Sequence, residues 1–266
     1  MEAQKQDLIV YSDHTTITPS LFKNGTHNMM LVSYRNGSSP VWLLNALLEA
    51  LVFREPLSLN DTTSSFDRRK ITNKLASVVT VASFMHNTNY FTDMLKKSKI
   101  PNYCVKLLDF CTDFVLNNLQ KSLDNVLQAV LHQFPDSPGS AIILEQPEML
   151  MSLFHISSDD LHSKLISPLM KRCSLLILVT SVDGFDSNAA EFDGGDVIEF
   201  ARFPVTAFMK SIVCLGLKPL DTGRANDVAG TLRITCGGLL LNNAVHVVET
   251  EYLFNIQKET TKLFYR

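Results

Sequence analysis

The chain has 266 residues, 45% of them hydrophobic and 19% charged, with a formal net charge of -3. It lies in the ordinary globular range, long enough for a sizeable core in one large domain or two small ones. The charge balance excludes a chain-wide positive field of the kind that draws phosphate backbones from a distance.

The five cysteines, Cys104, Cys111, Cys173, Cys214 and Cys236, include no CxxC pair. Most sit in apolar runs, where a reduced thiol acts as a small hydrophobe, so a reducing compartment is expected. The first seven residues carry no apolar signal segment. The longest helical apolar stretch, Val41 to Phe53, is too short to span a bilayer and contains Asn45 and Glu49. The expectation is a soluble intracellular protein with no membrane partner.

Up to about residue 180, apolar β-type runs alternate with helix-period segments, the pattern of a mostly parallel sheet flanked by helices. Asn28 to Tyr34 reads as the first strand, and about Pro40 to Phe53 as a helix with Pro40 in its first turn, where a missing N–H is harmless. Glu55 to Asn73 is rich in Ser, Thr, Asn and Asp, carries Arg68-Arg69-Lys70, and reads as a surface loop. Leu75 to Phe84 is a second strand, followed by a helix ending in Lys96-Lys97-Ser98-Lys99, whose charges complement a helix C-terminus, with Pro101 closing it. Tyr103 to Phe110 is a third strand. Leu116, Leu119, Leu123, Val126, Leu127 and Val130 then fall on one face of an amphipathic helix.

Pro135 to Gly139 breaks the chain before Ser140 to Glu145, a strand buried on both faces. Ser157 or Ser158 caps a helix to about Arg172, and Ser174 to Thr180 is another fully apolar strand. Beyond about Thr206 shorter alternating runs, Val228 to Thr235 and Val245 to Phe254 around Gly237-Gly238, predict antiparallel pairing at the sheet edge. No repeat or linker divides the chain, and residues 1–266 read as one domain.

A phosphate-binding loop runs GxxxxGK[ST] between a buried strand and a helix, its N–H groups and Lys holding the phosphates. Here the strand and the helix are present, but the connection is Arg35-Asn36-Gly37-Ser38-Ser39. One Gly remains, no Lys stands at the expected place, and Val41-Trp42 occupies the helix start. The scaffold is that of a P-loop NTPase with the ligand-holding residues replaced by ones that pack. Glu145 ends a strand where a Walker-B carboxylate would stand, but a strand-end acid without a phosphate loop has no metal to bridge.

His155, Asp159 and His162 have the spacing of a metal site on one helix face, yet a cap at Ser157 or Ser158 leaves His155 outside that helix. No metal is expected, and the histidines read as solvent-exposed or locally bonded. No G-x-S-x-G elbow or Cys–His pairing supports nucleophilic hydrolysis. Of the basic clusters, Arg68, Arg69 and Lys70 are the best candidates for RNA contact. Lys96 to Lys99 and Lys171-Arg172 read as solvated partners of helix ends. The turn-rich segment Leu217 to Gly230 reads as a hairpin approach, or as a subunit edge presenting Lys218 and Arg224.

Across nearly its whole length the chain resembles the sixth subunit of the Elongator complex (Elongator complex protein 6) of fungi. The resemblance rests on Lys5-Gln6-Asp7-Leu8, Ser83-Phe84-Met85-His86 leading to Asn89-Tyr90-Phe91-Thr92, Leu108-Asp109-Phe110, Glu145-Gln146-Pro147-Glu148, Pro219-Leu220 with Thr222-Gly223, Asp227-Val228, and Thr261-Lys262-Leu263-Phe264-Tyr265-Arg266. It implies a RecA-like fold without catalytic nucleotide motifs or a cofactor. The implied partners are two paralogous subunits, Elongator complex proteins 4 and 5, in a six-membered ring with two copies of each, and the Elongator core. That ring is implied to bind transfer RNA, in support of wobble-uridine modification, in the cytoplasm and nucleus.

In RecA-like rings the loop after the second deeply buried strand faces the channel. Here that stretch carries Asp183, Asp186, Glu191, Asp193, Asp196 and Glu199 against one nearby Arg202. Carboxylates repel phosphate, so this subunit is expected to supply interfaces and its neighbours most of the RNA-facing charge. The competing readings are a divergent NTPase that binds nucleotide at a subunit interface and an unrelated α/β enzyme, for which no spacing signal is present.

Overall fold

A computed structural model of the chain describes residues 6–23, 25–60, 74–183, 195–220, 223, 225, 227–239, 245–258 and 260–265. Nine strands form one sheet in the order β3-β2-β4-β5-β1-β6-β7-β8-β9. They are β1 (Asn28–Tyr34), β2 (Val79–Ser83), β3 (Val105–Asp109), β4 (Ala141–Glu145), β5 (Leu175–Ser181), β6 (Val213–Lys218), β7 (Gly230–Cys236), β8 (Thr250–Ile256) and β9 (Thr261–Tyr265). The first six pair in parallel, and β6 to β9 pair antiparallel.

The central strands are covered on both sides because their side chains alternate between two apolar layers. Met30, Val32, Val81, Ile143, Ile177 and Val179 face one layer with α1 (Val41–Phe53) and α2 (Thr88–Lys97). Met29, Leu31, Ile142, Leu144, Leu176 and Leu178 face the other. That second layer holds residues of α4 (Leu123–Leu131), α5 (Met149–Phe154), α6 (Ser158–Leu161), α7 (Ser167–Arg172) and α8 (Gly195–Lys210). Helix α1 is buried almost all round. Its Trp42 ring lies 5.0 Å from Phe254 of β8, and its Glu49 carboxylate accepts the Ser58 N–H at 2.6 Å.

The single amphipathic helix expected across Leu116 to Val130 is two helices, α3 (Asp113–Asn118) and α4, with a turn between them. The buried Asn118 amide donates to the Phe114 carbonyl at 2.5 Å, a side-chain bond that competes with the backbone ladder and ends α3. Leu116 and Leu119 are left 71% and 54% exposed, off the buried face of Val126, Leu127 and Val130. The second strand is shorter than expected, since residues 75–78 bond to α1 and to Gly139 instead. Residues 102–104 form a 3₁₀ turn before β3. Helices α5 and α8 and strands β6 and β9 had no counterpart in the sequence reading.

Between α6 and α7 a π turn (His162–Ile166) widens the helix, with Ser167 N–H donating to the His162 carbonyl. Pro168 has no N–H for the Lys164 carbonyl and would crowd it in a regular helix; the wider turn relieves that clash.

The outer edge of β9 is closed by the chain itself. Thr261 N–H donates to the Ser58 carbonyl at 3.2 Å and its carbonyl accepts from Asn60 N–H at 2.9 Å. Leu263 N–H donates to the Asn60 side chain at 2.9 Å, and its carbonyl accepts from Gln6 N–H at 3.0 Å. Residues 6 and 58–60 thus satisfy backbone groups that an open edge would leave unpaired. Gly237 and Gly238, expected as turn formers, serve close approach. A Cβ on Gly237 would meet the Ser211 carbonyl oxygen at 2.1 Å, and one on Gly238 the Met209 backbone at 2.6 Å.

Candidate functional site

In open α/β sheets, ligands sit beyond the carboxyl ends of the strands where successive crossovers leave on opposite faces. Neighbouring strands β1 and β5 meet that condition, since α1 follows β1 into one layer and α8 follows β5 into the other. The turn Arg35 to Ser39 leaves β1 at this place. Gly37 has φ +88°, a left-handed conformation that favours glycine, and packs against Pro219 just after β6. The turn does not form an open cradle. Ser38 N–H donates to the Arg35 carbonyl at 3.0 Å, and Val41 N–H to Ser39 Oγ at 3.4 Å. Asn36 N–H donates to a carboxylate oxygen of Asp183 at 2.7 Å. Asp183 is fixed in turn by Ser181 Oγ at 2.7 Å. An anionic group of the chain thus occupies the N–H that a bound phosphate would seek.

Glu145 at the end of β4 is similarly engaged. Its Oε2 accepts Ser83 Oγ at 2.6 Å and pairs with His86 Nδ1 at 2.9 Å, and the side chain is 3% exposed. Ser83 Oγ also accepts the N–H groups of Met85 and His86 at 3.0 and 2.7 Å, so it caps the turn that follows β2. The bond from Glu145 holds the His86 pKa above its ordinary value, against the opposing effect of partial burial. The imidazole lies flat on Tyr90 at a centroid distance of 4.0 Å.

One residue beyond β4, Gln146 takes φ +51° and its amide bonds the Tyr34 hydroxyl at the end of β1. Glu148 is fully buried, accepts Ser181 N–H at 3.0 Å, and has its pKa pushed up to about 7, first by burial and further by the charge of Glu145. Burial, with the charges of Glu148, Glu145 and Asp183, raises Tyr34 well above an ordinary phenol. Three carboxyl groups thus gather at this end of the sheet: Asp183 on the turn, and Glu145 and Glu148 buried behind it.

Of the residues singled out in the sequence, Arg35 to Ser39, Glu145 and Asp183 come together at this crevice, and Lys218 lies beside them, since Leu217 pairs with Tyr34 and accepts Arg35 N–H at 3.1 Å. Arg224, Arg68, Arg69 and Lys70 lie outside the described residues. Tyr34, Ser83, His86, Gln146 and Glu148 had been given no role. Ser83, His86, Gln146 and Glu148 stood only in the segments that carry the resemblance; otherwise the signal was a polar residue at or just past the end of an apolar strand, which is common.

Ser157 caps α6, accepting Asp160 N–H at 3.1 Å, and His155 stands outside it with φ +52°. His162, expected to be exposed or locally bonded, is buried against Phe203, whose carbonyl lies 2.9 Å from Nε2, and burial pushes its pKa down to about 4. Among the described residues no group of three or more His, Cys, Asp or Glu is placed to hold a metal ion, and no helix is long and apolar enough to cross a membrane. All five cysteines are free thiols.

No protein-family model matches the chain. It is 38% identical over 275 residues to a Saccharomyces cerevisiae protein named Elongator complex protein 6, an alignment that covers 99% of this chain and 98% of that protein. The motifs at β2, β4 and the last strand thus belong to a likeness that runs from end to end, and the chain belongs to the Elongator complex protein 6 family.

Proposed function

We propose that the protein is a non-catalytic subunit of Elongator, built as one RecA-like domain over residues 1–266 that has lost its phosphate loop. It would sit with two paralogous subunits, Elongator complex proteins 4 and 5, in a six-membered ring that holds transfer RNA for wobble-uridine modification, in the cytoplasm and nucleus. The family likeness supports the assembly. The bond from Asn36 N–H to Asp183 carries the non-catalytic part, because it places a fixed negative charge where a triphosphate would need donors. Glu145 adds to it: a carboxylate already bonded to Ser83 and His86 is poorly disposed to hold the water shell of magnesium. Lys218 and Arg224 remain proposed as contacts to a neighbouring subunit.

Two measurements test this reading. Calorimetric titration of the full chain with magnesium and ATP should show no tight magnesium-dependent binding; such binding would favour the divergent NTPase instead. Native mass measurement after co-expression with the two paralogues should give a six-subunit species, and a chain that stays monomeric beside them would sink the ring.

A further inference from the structure

At the opposite pole of the sheet, where the strands begin, lies a group of residues with a different chemistry. Tyr103, in the 3₁₀ turn before β3, is 80% exposed and adds nothing to either apolar layer. The Lys74 ammonium stands 5.6 Å from its ring centroid. Lys97 ends α2 and Lys99 follows it in a left-handed conformation with φ +56°, both exposed and only four to six residues before Tyr103. The short link between them is anchored by buried Ile100, whose N–H donates to the Leu95 carbonyl at 2.9 Å. Among the described residues none of Lys74, Lys97 and Lys99 is paired with a carboxylate, whereas the neighbouring Lys96 is held by Asp93 at 3.2 Å.

The C-terminal dipole of α2 accounts for part of this charge, but a helix end carries only about half an elementary charge, less than two ammonium groups supply. It gives no reason for an aromatic ring that is 80% exposed with a lysine over one face. An aromatic ring open to solvent beside unpaired cations is the arrangement on which single-stranded nucleic acid binds, a base stacking on the ring and the flanking phosphates meeting the cations.

We infer that Tyr103, Lys74, Lys97 and Lys99 form a contact site for an unpaired RNA segment. The length of β3 alone, five residues or roughly 17 Å at the ordinary rise of a strand, separates it from the end of the sheet where the carboxyl groups gather. The site needs no ring: it is carried by this chain's own surface and stands or falls apart from the assembly proposed above.

The test is fluorescence anisotropy of a labelled ten-nucleotide oligouridine RNA with the full chain in low salt. Tyr103→Ala should weaken binding roughly 5- to 150-fold, the range for one lost base stack, and Tyr103→Trp should restore it. Lys97→Ala with Lys99→Ala should lower the slope of log affinity against log salt by about 1.4, two phosphate contacts on a single strand. Because Tyr103 is exposed, the melting curve of Tyr103→Ala should overlay the unsubstituted one. Equal RNA binding by the chain and by Tyr103→Ala overturns the site. So does equal or tighter binding of a labelled polyglutamate peptide of matching length, which would make the patch a protein contact.

Discussion

Glu148 inverts the usual dependence of stability on pH. Its carboxyl titrates near 4.5 in an unfolded chain and near 7 in the fold, so between those values the folded protein holds a proton that the unfolded chain has released. Stability contributed by the protonated group is complete below about pH 4.5 and is lost as the pH rises through 7. The shift of 7 - 4.5 = 2.5 units corresponds to about 3 kcal/mol. Between pH 5 and pH 8 the protein should lose roughly 2–3 kcal/mol of unfolding free energy through this group alone.

Glu148→Gln isolates the effect, since a neutral amide keeps an acceptor for Ser181 N–H and removes the titration. Urea unfolding of both proteins at pH 5, 6, 7 and 8 should give a steep fall for the unsubstituted chain and a much flatter line for the variant. At pH 8 the variant should be the more stable of the two. Parallel lines would show that Glu148 is ionised at a cost too small to see, and the account of a desolvated carboxyl would be wrong.

His86 acts in the same direction through a different cause. Its pKa is raised by Glu145, so the stability it adds is complete below the ordinary imidazole range and is lost as pH rises through the raised value. His86→Ala should cost about 1–3 kcal/mol at pH 5.5 and clearly less at pH 9, read from the difference between two urea curves. Asn60→Ala removes the bond to Leu263 N–H and places alanine at φ +59°, so a loss of about 2–3 kcal/mol is expected. Asn60→Gly, which keeps the conformation, should recover part of that loss, and equal melting of the two variants would contradict it. Gly237→Ala drives a Cβ into the Ser211 carbonyl and should cost at least about 3 kcal/mol or prevent folding; soluble protein with an unchanged melting temperature would show that the backbone gives way freely.

The buried parallel strands were legible because an unbroken apolar run such as Ile142 to Leu144 has few other uses. Strand β6 escaped notice for the opposite reason: Val213 to Lys218 is short and is interrupted by Gly216, a residue that weakens a strand signal. Helix α8 was hidden by Pro204 and by the acidic stretch before it, which reads as loop. The turn at Arg35 was read from what it lacks, and the structure supplied what replaces it: a carboxylate from residue 183, far along the chain, bonded to residue 36. No local pattern reports such a pair. The same holds for His86 with Glu145 and Gln146 with Tyr34, which meet only because β2, β4 and β1 end at one pole.

The burial of α1 bears on how the protein is made. Trp42 rests on Phe254, and the segment that bonds to Thr261 and Leu263 lies directly after this helix, at residues 58–60. From Trp42 to Phe254 is 254 - 42 = 212 residues, which a ribosome adding about 5–20 residues per second needs roughly 10–40 s to synthesise. For that interval the start of this apolar helix has been made while the part of its cover that β8 supplies has not. Products cut short before β8 leave Trp42 uncovered and should go to chaperones or to degradation.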